Sequence, residues 1–221
     1  MSQPSRDWDA AYRQETPPPW SIGQPQPELA VLIDQVRSDV LDAGCGHAAL
    51  SLALAARGHT VVGLDASATA VAAAAAAAAE QGLTTATFAQ ADVTSFRGYD
   101  GRFSTILDSG LFHALPPEKR QDYLQSIFQA AAPGAALHIL AFAAGALGDP
   151  DDVERPGPRG LGETELRDAV STLWRVDDLR PAKVYGNASA LKASDRPNVE
   201  RDNDGHFMAP GFLLSAHKPE Q

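Results

Sequence analysis

The stretch VLDAGCG, residues 40–46, joins a short apolar run to a turn that contains two glycines. The apolar run predicts a buried β-strand, and residues 48–56 have the composition of a helix that opens after the turn. Glycine lets the backbone approach a ligand closely, and the free N–H groups of a helix N-terminus then face that ligand. Dinucleotide enzymes hold a pyrophosphate at this place. Asp42, just before the first glycine, would repel a pyrophosphate, so the stretch favours a ligand that brings a cation, such as the amino group of a methionine moiety.

Strand and helix patterns alternate around this turn. Strands are predicted at 40–42, 60–64, 85–89, 103–108, 135–142, 182–185 and 212–217, and helices at 28–36, 48–56, 67–81, 117–132 and 163–174. This alternation is typical of an α/β fold in which helices cover both faces of a mostly parallel sheet. Residues 1–27 are rich in proline and carry two tryptophans, so we expect a lid segment without regular structure that folds back onto a single domain, 28–221.

Two further acidic residues lie at the ends of the second and third predicted strands. Asp65 ends the second strand, about 20 residues beyond the glycine turn, where a carboxylate can accept hydrogen bonds from both hydroxyls of a ribose. Asp92 follows the third strand, where its carboxylate can accept the amino group of an adenine while the N–H of Val93 donates to a ring nitrogen. Together these positions indicate an adenosine that bears an amino acid rather than a diphosphate.

The combined pattern resembles the class I S-adenosylmethionine-dependent methyltransferases. The resemblance rests on residues 42–46, Asp65, Asp92 and the turn at 132–134, and it covers about residues 28 to 145. It implies a Rossmann-like three-layer sandwich with a seven-stranded sheet whose last strand is antiparallel, and S-adenosylmethionine as cofactor. One departure is that His47-Ala48 replaces the usual third glycine. Alanine still permits close helix packing, and we expect His47 to point outward.

A second resemblance covers nearly the whole chain. The stretches WDAAY, residues 8–12, and PPWSIG, residues 18–23, are similar to the N-terminal segment of thiopurine-type and thiol-type methyltransferases. Within that group DSGLFHAL, residues 108–115, resembles mycobacterial enzymes that methylate heterocyclic toxins of the hydroxyquinolone kind. This resemblance implies O- or N-methyl transfer to a flat aromatic heterocycle of the hydroxyquinolone, phenol or quinol type, with detoxification as the biological role.

These motifs define a set of candidate site residues. His113 follows the fourth strand and is either a general base for a phenol or a residue that anchors its loop. The polar loop at 187–210 is a candidate lid. No cysteine–histidine spacing indicates zinc, so no metal is expected. The predicted cofactor residues are Trp20, Asp42, Gly44, Cys45, Gly46, Asp65, Ala66, Asp92, Val93, Asp108 and Ser109, and the predicted substrate residues are Trp8, Tyr12, Phe112, His113, His206 and Phe207.

The composition of the chain limits the kinds of binding partner that can be expected. The net charge of −10 disfavours a nucleic-acid partner, because such binding depends on Lys and Arg that neutralise phosphates. No apolar run is long enough to span a membrane, and the N-terminus lacks the apolar core of a signal peptide. We therefore expect a cytoplasmic protein, a monomer or weak homodimer, that acts on a small-molecule aromatic acceptor.

Three other functions remain open at this point. One is S-methylation of a thiol or thiopurine. Another is a nicotinamide-dependent oxidoreductase, since the two glycines also fit a dinucleotide turn, although Asp42 and Asp92 disfavour it. The third is a non-catalytic protein that binds the cofactor and turns over no acceptor.

Overall fold

The computed structural model describes residues 7–148, 160–190 and 200–220. The α-helices are α1 Trp8–Tyr12, α2 Pro27–Ala30, α3 Ala49–Ala55, α4 Ala68–Glu80, α5 Arg120–Ala130 and α6 Glu163–Ser171. The strands are β1 Val40–Ala43, β2 Val61–Asp65, β3 Ala86–Gln90, β4 Phe103–Ser109, β5 Ala131–Phe142, β6 Arg175–Gly186, β7 Glu200–Arg201 and β8 Phe207–His217. Short 3-10 helices lie at Ile33–Gln35, Phe112–Ala114, Pro117–Lys119 and Ala188–Ala190. Within these ranges no helix has the length and apolar character that a bilayer crossing needs.

The strands form one mixed sheet in the order β3-β2-β1-β4-β5-β8-β6. Strands β1 to β5 are parallel. Strand β8 is antiparallel to both β5 and β6, which confirms the prediction for the last strand. The chain builds outward from β1 to β3 and then places β4 on the other side of β1. Ligands of open α/β sheets bind at such a switch point, outside the carboxyl ends of the strands.

Helices cover both faces of this sheet. Successive residues of a strand point to opposite faces, and Val40 and Leu41 accordingly belong to two different hydrophobic clusters. The Leu41 cluster includes α5 and α6, and the Val40 cluster includes α2 and α3. The larger buried apolar residues that the helices contribute are Tyr123, Leu124, Ile127, Leu166 and Val170 on one face, and Leu29, Leu50 and Leu54 on the other. The predicted Rossmann-like three-layer sandwich is confirmed.

Several sequence-based expectations are wrong in detail. The sheet has eight strands within the described ranges rather than seven, because β7 pairs with the start of β8. A two-residue strand is too short to produce a recognisable alternation. The N-terminal segment contains a helix, α1, because its proline run begins only after Tyr12. Strand β6 begins at Arg175 rather than 182. Its first half contains several charged residues, which do not form the apolar run by which a buried strand is predicted.

Helix α4 begins as its sequence predicts. Ser67 is the N-cap, and its hydroxyl accepts a hydrogen bond from the N–H of Ala70 at 3.1 Å. Ala70, Ala74 and Ala78 recur at intervals of four and form the buried face of the helix. This arrangement fixes the N-terminus of α4 next to the carboxyl end of β2.

Candidate active site

The glycine turn after β1 is held against β2. The N–H groups of Gly44 and Cys45 both donate to the carbonyl oxygen of Leu64, at 2.8 and 3.0 Å. Gly46 has a φ of 53°, which favours glycine. Ala48, at the position of the missing third glycine, also has a positive φ of 61°, a conformation that costs an L-residue about 1–2 kcal/mol. The alanine preserves the turn at the expense of some strain.

Asp65 connects the glycine turn to α4. Its Oδ2 accepts the N–H of Gly46 at 2.9 Å, and its Oδ1 accepts the N–H of Ser67 at 2.9 Å. Burial raises the pKa of this carboxyl, while the backbone N–H groups oppose the rise. An ionised carboxylate offers about four acceptor positions, so Asp65 can still receive hydroxyl groups of a ligand.

Asp42 and Asp108 lie beneath the turn on neighbouring strands, where β4 pairs with β1 so that Asp108 faces Ala43. Both side chains are at most 1% exposed. Asp42 accepts the Ser51 hydroxyl at 2.6 Å through Oδ2. Burial raises the pKa of Asp42 to about 6 and that of Asp108 to about 7.

Asp108 is fully engaged with the protein. Its Oδ1 accepts the N–H groups of Leu111 and Phe112 at 2.8 and 3.2 Å, and its Oδ2 accepts the hydroxyl of Tyr123 at 2.8 Å. These bonds fix the loop after β4. The same engagement, together with complete burial, keeps Asp108 from acting as an accessible base.

The remaining predicted cofactor residues lie at the same edge of the sheet. Asp92, two residues beyond β3, is exposed, and the Thr94 hydroxyl and N–H donate to its Oδ1 at 2.7 and 2.9 Å. These bonds hold the pKa of Asp92 below its usual value. Val93 is buried, Ala66 is exposed and Ser109 ends β4. The structure therefore brings acids together at the carboxyl ends of four adjacent strands.

An aromatic cluster covers the turn. The rings of Trp8 and Tyr12 pack edge-on against Trp20 at centroid distances of 5.6 and 5.9 Å. Trp20 Nε1 donates to the Tyr12 hydroxyl at 2.8 Å. The expectation for His47 is wrong, because its ring lies 5.0 Å from that of Tyr12 and its Nδ1 is 3.1 Å from the Ser21 hydroxyl. The turn and the N-terminal segment thus form one packed unit.

His113 is buried in the loop after β4. It is 8% exposed, and its ring lies 4.8 Å from that of Phe142. Its Nδ1 accepts the N–H of Phe142 at 3.3 Å, so the neutral ring carries its proton on Nε2. Burial, aided by the nearby charge of Arg120, lowers the pKa of His113 to about 3. Phe112 is fully buried and packs against Tyr123, beneath the loop.

His206 and Phe207 lie at the start of β8, where this strand pairs with β7. Phe207 is 4% exposed and belongs to the core cluster of the face that α2 and α3 cover. His206 Nδ1 lies 3.0 Å from Asp202 Oδ2. A role for either residue at the acceptor stays a prediction. Of the candidate loop at 187–210, residues 191–199 lie outside the described residues.

Several residues of this site had no sequence signal. Ser51, Tyr123 and Asp9 contact acids or helix ends that lie 9, 15 and about 60 residues away. Such partners are ordinary polar residues until the fold brings them together. Ser67 is the exception, since its position before an alanine run predicts the N-cap that the structure confirms.

Comparison with known proteins identifies the family. A family model described as a methyltransferase domain matches residues 40–134. A curated relative, the 2-heptyl-1-hydroxyquinolin-4(1H)-one methyltransferase of Mycobacteroides abscessus, is 49% identical over 96% of this chain and 96% of its own length. The chain therefore belongs to the class I S-adenosylmethionine-dependent methyltransferases. Within this class it is similar to enzymes of the hydroxyquinolone type, and the nicotinamide and non-catalytic alternatives fall away.

Solved structures agree with this assignment. One, from work on the conversion of a disulfide bond into a thioacetal group during echinomycin biosynthesis, is 30% identical with a TM-score of 0.79 and covers 96% of this chain and 91% of its own. The 1,6-didemethyltoxoflavin-N1-methyltransferase of Burkholderia thailandensis shares the fold, with 20% identity, a TM-score of 0.61 and coverage of 96% and 80%.

The buried acids predict how stability depends on pH. The pKa values of Asp42 and Asp108 are raised above an unfolded value of about 4, so the folded chain holds more protons than the unfolded chain between that pH and about 7. The free energy of unfolding therefore falls as pH rises through this window. Asp108→Asn should reduce the slope in urea unfolding between pH 5 and 8, whereas Asp34→Asn, at an exposed carboxylate, should not. Equal slopes for wild type and Asp108→Asn would contradict a raised pKa of Asp108 in the folded protein.

Proposed function

We propose that this enzyme transfers the methyl group of S-adenosylmethionine to the oxygen or nitrogen of a hydroxyquinolone-type heterocycle. The 49% identity to the Mycobacteroides abscessus enzyme over 96% of both chains carries the proposal. The cluster of Trp8, Tyr12 and Trp20 supports a flat aromatic acceptor, because aromatic rings pack favourably against one another. A cytoplasmic location, a monomeric or weakly dimeric state, the absence of a nucleic-acid partner and a role in detoxification stay predictions.

The acids at the sheet edge fit the cofactor. S-adenosylmethionine supplies, when bound, an electrophilic methyl group on a sulfonium that leaves as a neutral thioether. The acidic groups of Asp42 and Asp108 under the turn favour a ligand with cationic groups, because a nearby cation stabilises the ionised form of each carboxyl. Asp65 offers acceptors to ribose hydroxyls, and Asp92 offers one to the adenine amino group. We propose the predicted set around the glycine turn as the cofactor residues, with Asp42 and Asp108 acting from beneath the turn because both side chains are buried.

The acceptor needs no protein base in this proposal. His113 has Nδ1 engaged by a backbone N–H, and its pKa of about 3 keeps the ring neutral. A hydroxyl on a ring nitrogen conjugated with a carbonyl is acidic enough to ionise into solvent by itself. The task of the chain is then to hold the anion in line with the methyl group and to exclude water, which can lower the barrier by roughly 7–11 kcal/mol. His113 acts by fixing the loop after β4.

An acceptor panel tests the proposed substrate class. Purified enzyme with S-adenosylmethionine should methylate 2-heptyl-1-hydroxyquinolin-4(1H)-one at a higher kcat/KM than simple phenols, quinols or thiols. Mass spectrometry of the product assigns the methylated atom. Turnover of thiols in preference to every heterocycle would overturn the proposal.

S-methylation is the second candidate. The 30% identity to the structure associated with thioacetal formation at sulfur favours it. Thiols and thiopurines belong in the same panel for this reason, and a preference for them would replace the heterocycle with a sulfur acceptor without changing the cofactor site.

His113→Gln tests the role of the histidine. Glutamine keeps an acceptor for the Phe142 N–H but cannot serve as a base near neutral pH. We expect kcat to fall by less than about tenfold, and the pH profile of kcat/KM to follow the pKa of the acceptor. A loss of about a hundredfold or more would instead show general-base catalysis.

A further inference from the structure

The first helix of the chain is fastened to the N-terminus of α4 by one side chain. Asp9 Oδ1 accepts the hydroxyl of Ser67 at 2.6 Å and the N–H of Thr69 at 2.9 Å. The N–H groups in the first turn of a helix have no partner within the helix, and the helix dipole favours a negative charge there. These hydrogen bonds lower the pKa of Asp9 to about 2, so the carboxylate is ionised at physiological pH and accepts charge-assisted hydrogen bonds.

The same helix lies over the glycine turn at its other end. A Cβ at Gly46 would lie 2.6 Å from the Tyr12 hydroxyl, so this side chain rests directly on the backbone of the turn. The hydroxyl also accepts Trp20 Nε1, which ties α1 to the rest of the N-terminal segment. Helix α1 therefore bridges from the turn to α4.

Asp65 lies between these two points of contact. One of its oxygens accepts the N–H of Gly46 beneath Tyr12, and the other accepts the N–H of Ser67. The hydroxyl of Ser67 in turn donates to Asp9. With α1 docked, Asp65 is only 8% exposed, so little of its carboxylate is open to a ligand from solvent. A helix of five residues is not stable alone in water, so α1 persists only while it is docked.

We infer that Asp9 is a positioning residue that latches α1 over the cofactor site, so that cofactor and product exchange only when the latch opens. A purely structural contact would contribute to stability and leave exchange unchanged. The inference concerns the cofactor site alone and is independent of which acceptor is methylated.

The dissociation rate of S-adenosylhomocysteine tests this inference. The fluorescence of Trp8 and Trp20 reports on the segment while excess S-adenosylmethionine displaces the product in a stopped-flow instrument. Asp9→Ala should release S-adenosylhomocysteine about tenfold faster than wild type. Asp9→Asn, which keeps an acceptor oxygen without the charge, should have a dissociation rate between those of wild type and Asp9→Ala. The equilibrium affinity should change less than the dissociation rate, because an open lid also admits the ligand faster.

Asp34→Ala is the matched control, since its carboxylate is exposed and pairs only with Arg57 at 3.8 Å among the contacts of the described residues. It should leave the rate unchanged. An unchanged dissociation rate in a folded Asp9→Ala protein would overturn the inference. If that variant does not fold, hydrogen exchange of wild-type residues 8–12 decides: slower exchange with S-adenosylhomocysteine supports the latch, and equal exchange with and without it overturns the latch.

Discussion

A group of carboxyl side chains buried under a single turn is the constraint on which the other features of the site depend. Asp42, Asp65 and Asp108 are all largely removed from solvent, and no ion pair joins them to a cation within the residues that the structure describes. Burial raises the pKa of each of them. Such an arrangement costs stability in the free protein, and a ligand with cationic groups relieves it. The sulfonium and amino groups of the family's cofactor have this character, so binding at the proposed cofactor site would relieve an electrostatic cost of the free protein.

The hydrogen bonds around these acids also explain how the site is shaped. Asp108 organises the loop after β4 through two backbone N–H groups and Tyr123, and that loop carries His113 into the core. Asp65 joins the turn to α4. The N-terminal segment completes the unit, and it is also tied to the far side of the fold, where Gln26 exchanges two hydrogen bonds with the backbone of Tyr185. The cofactor edge and the N-terminal segment are therefore parts of one hydrogen-bonded structure.

Features that depend on local sequence could be predicted. The strand, turn and helix around Gly44 and Gly46, the N-cap at Ser67 and the alternation of strands and helices along the chain all follow from short-range patterns. Other features depend on contacts between distant residues. The hydrogen bonds of Asp9 to the start of α4 join residues about 60 apart, and the packing of the half-buried His47 depends on Tyr12, so neither has a local signature. Strand β7 has no sequence signal because two residues are too few to show an alternating pattern. The first half of β6 has none because charged residues interrupt its apolar positions.

Calorimetric titration with S-adenosylmethionine tests the central claim, that the turn and Asp65 hold the cofactor. Wild-type protein should bind the ligand stoichiometrically, and Asp65→Ala should weaken binding by about tenfold or more, since the variant loses a charged acceptor for the ribose. Circular dichroism establishes that the variant is folded, and Asp34→Ala serves as control. Unchanged affinity in folded Asp65→Ala protein, or no binding by the wild type, would contradict the account of this site.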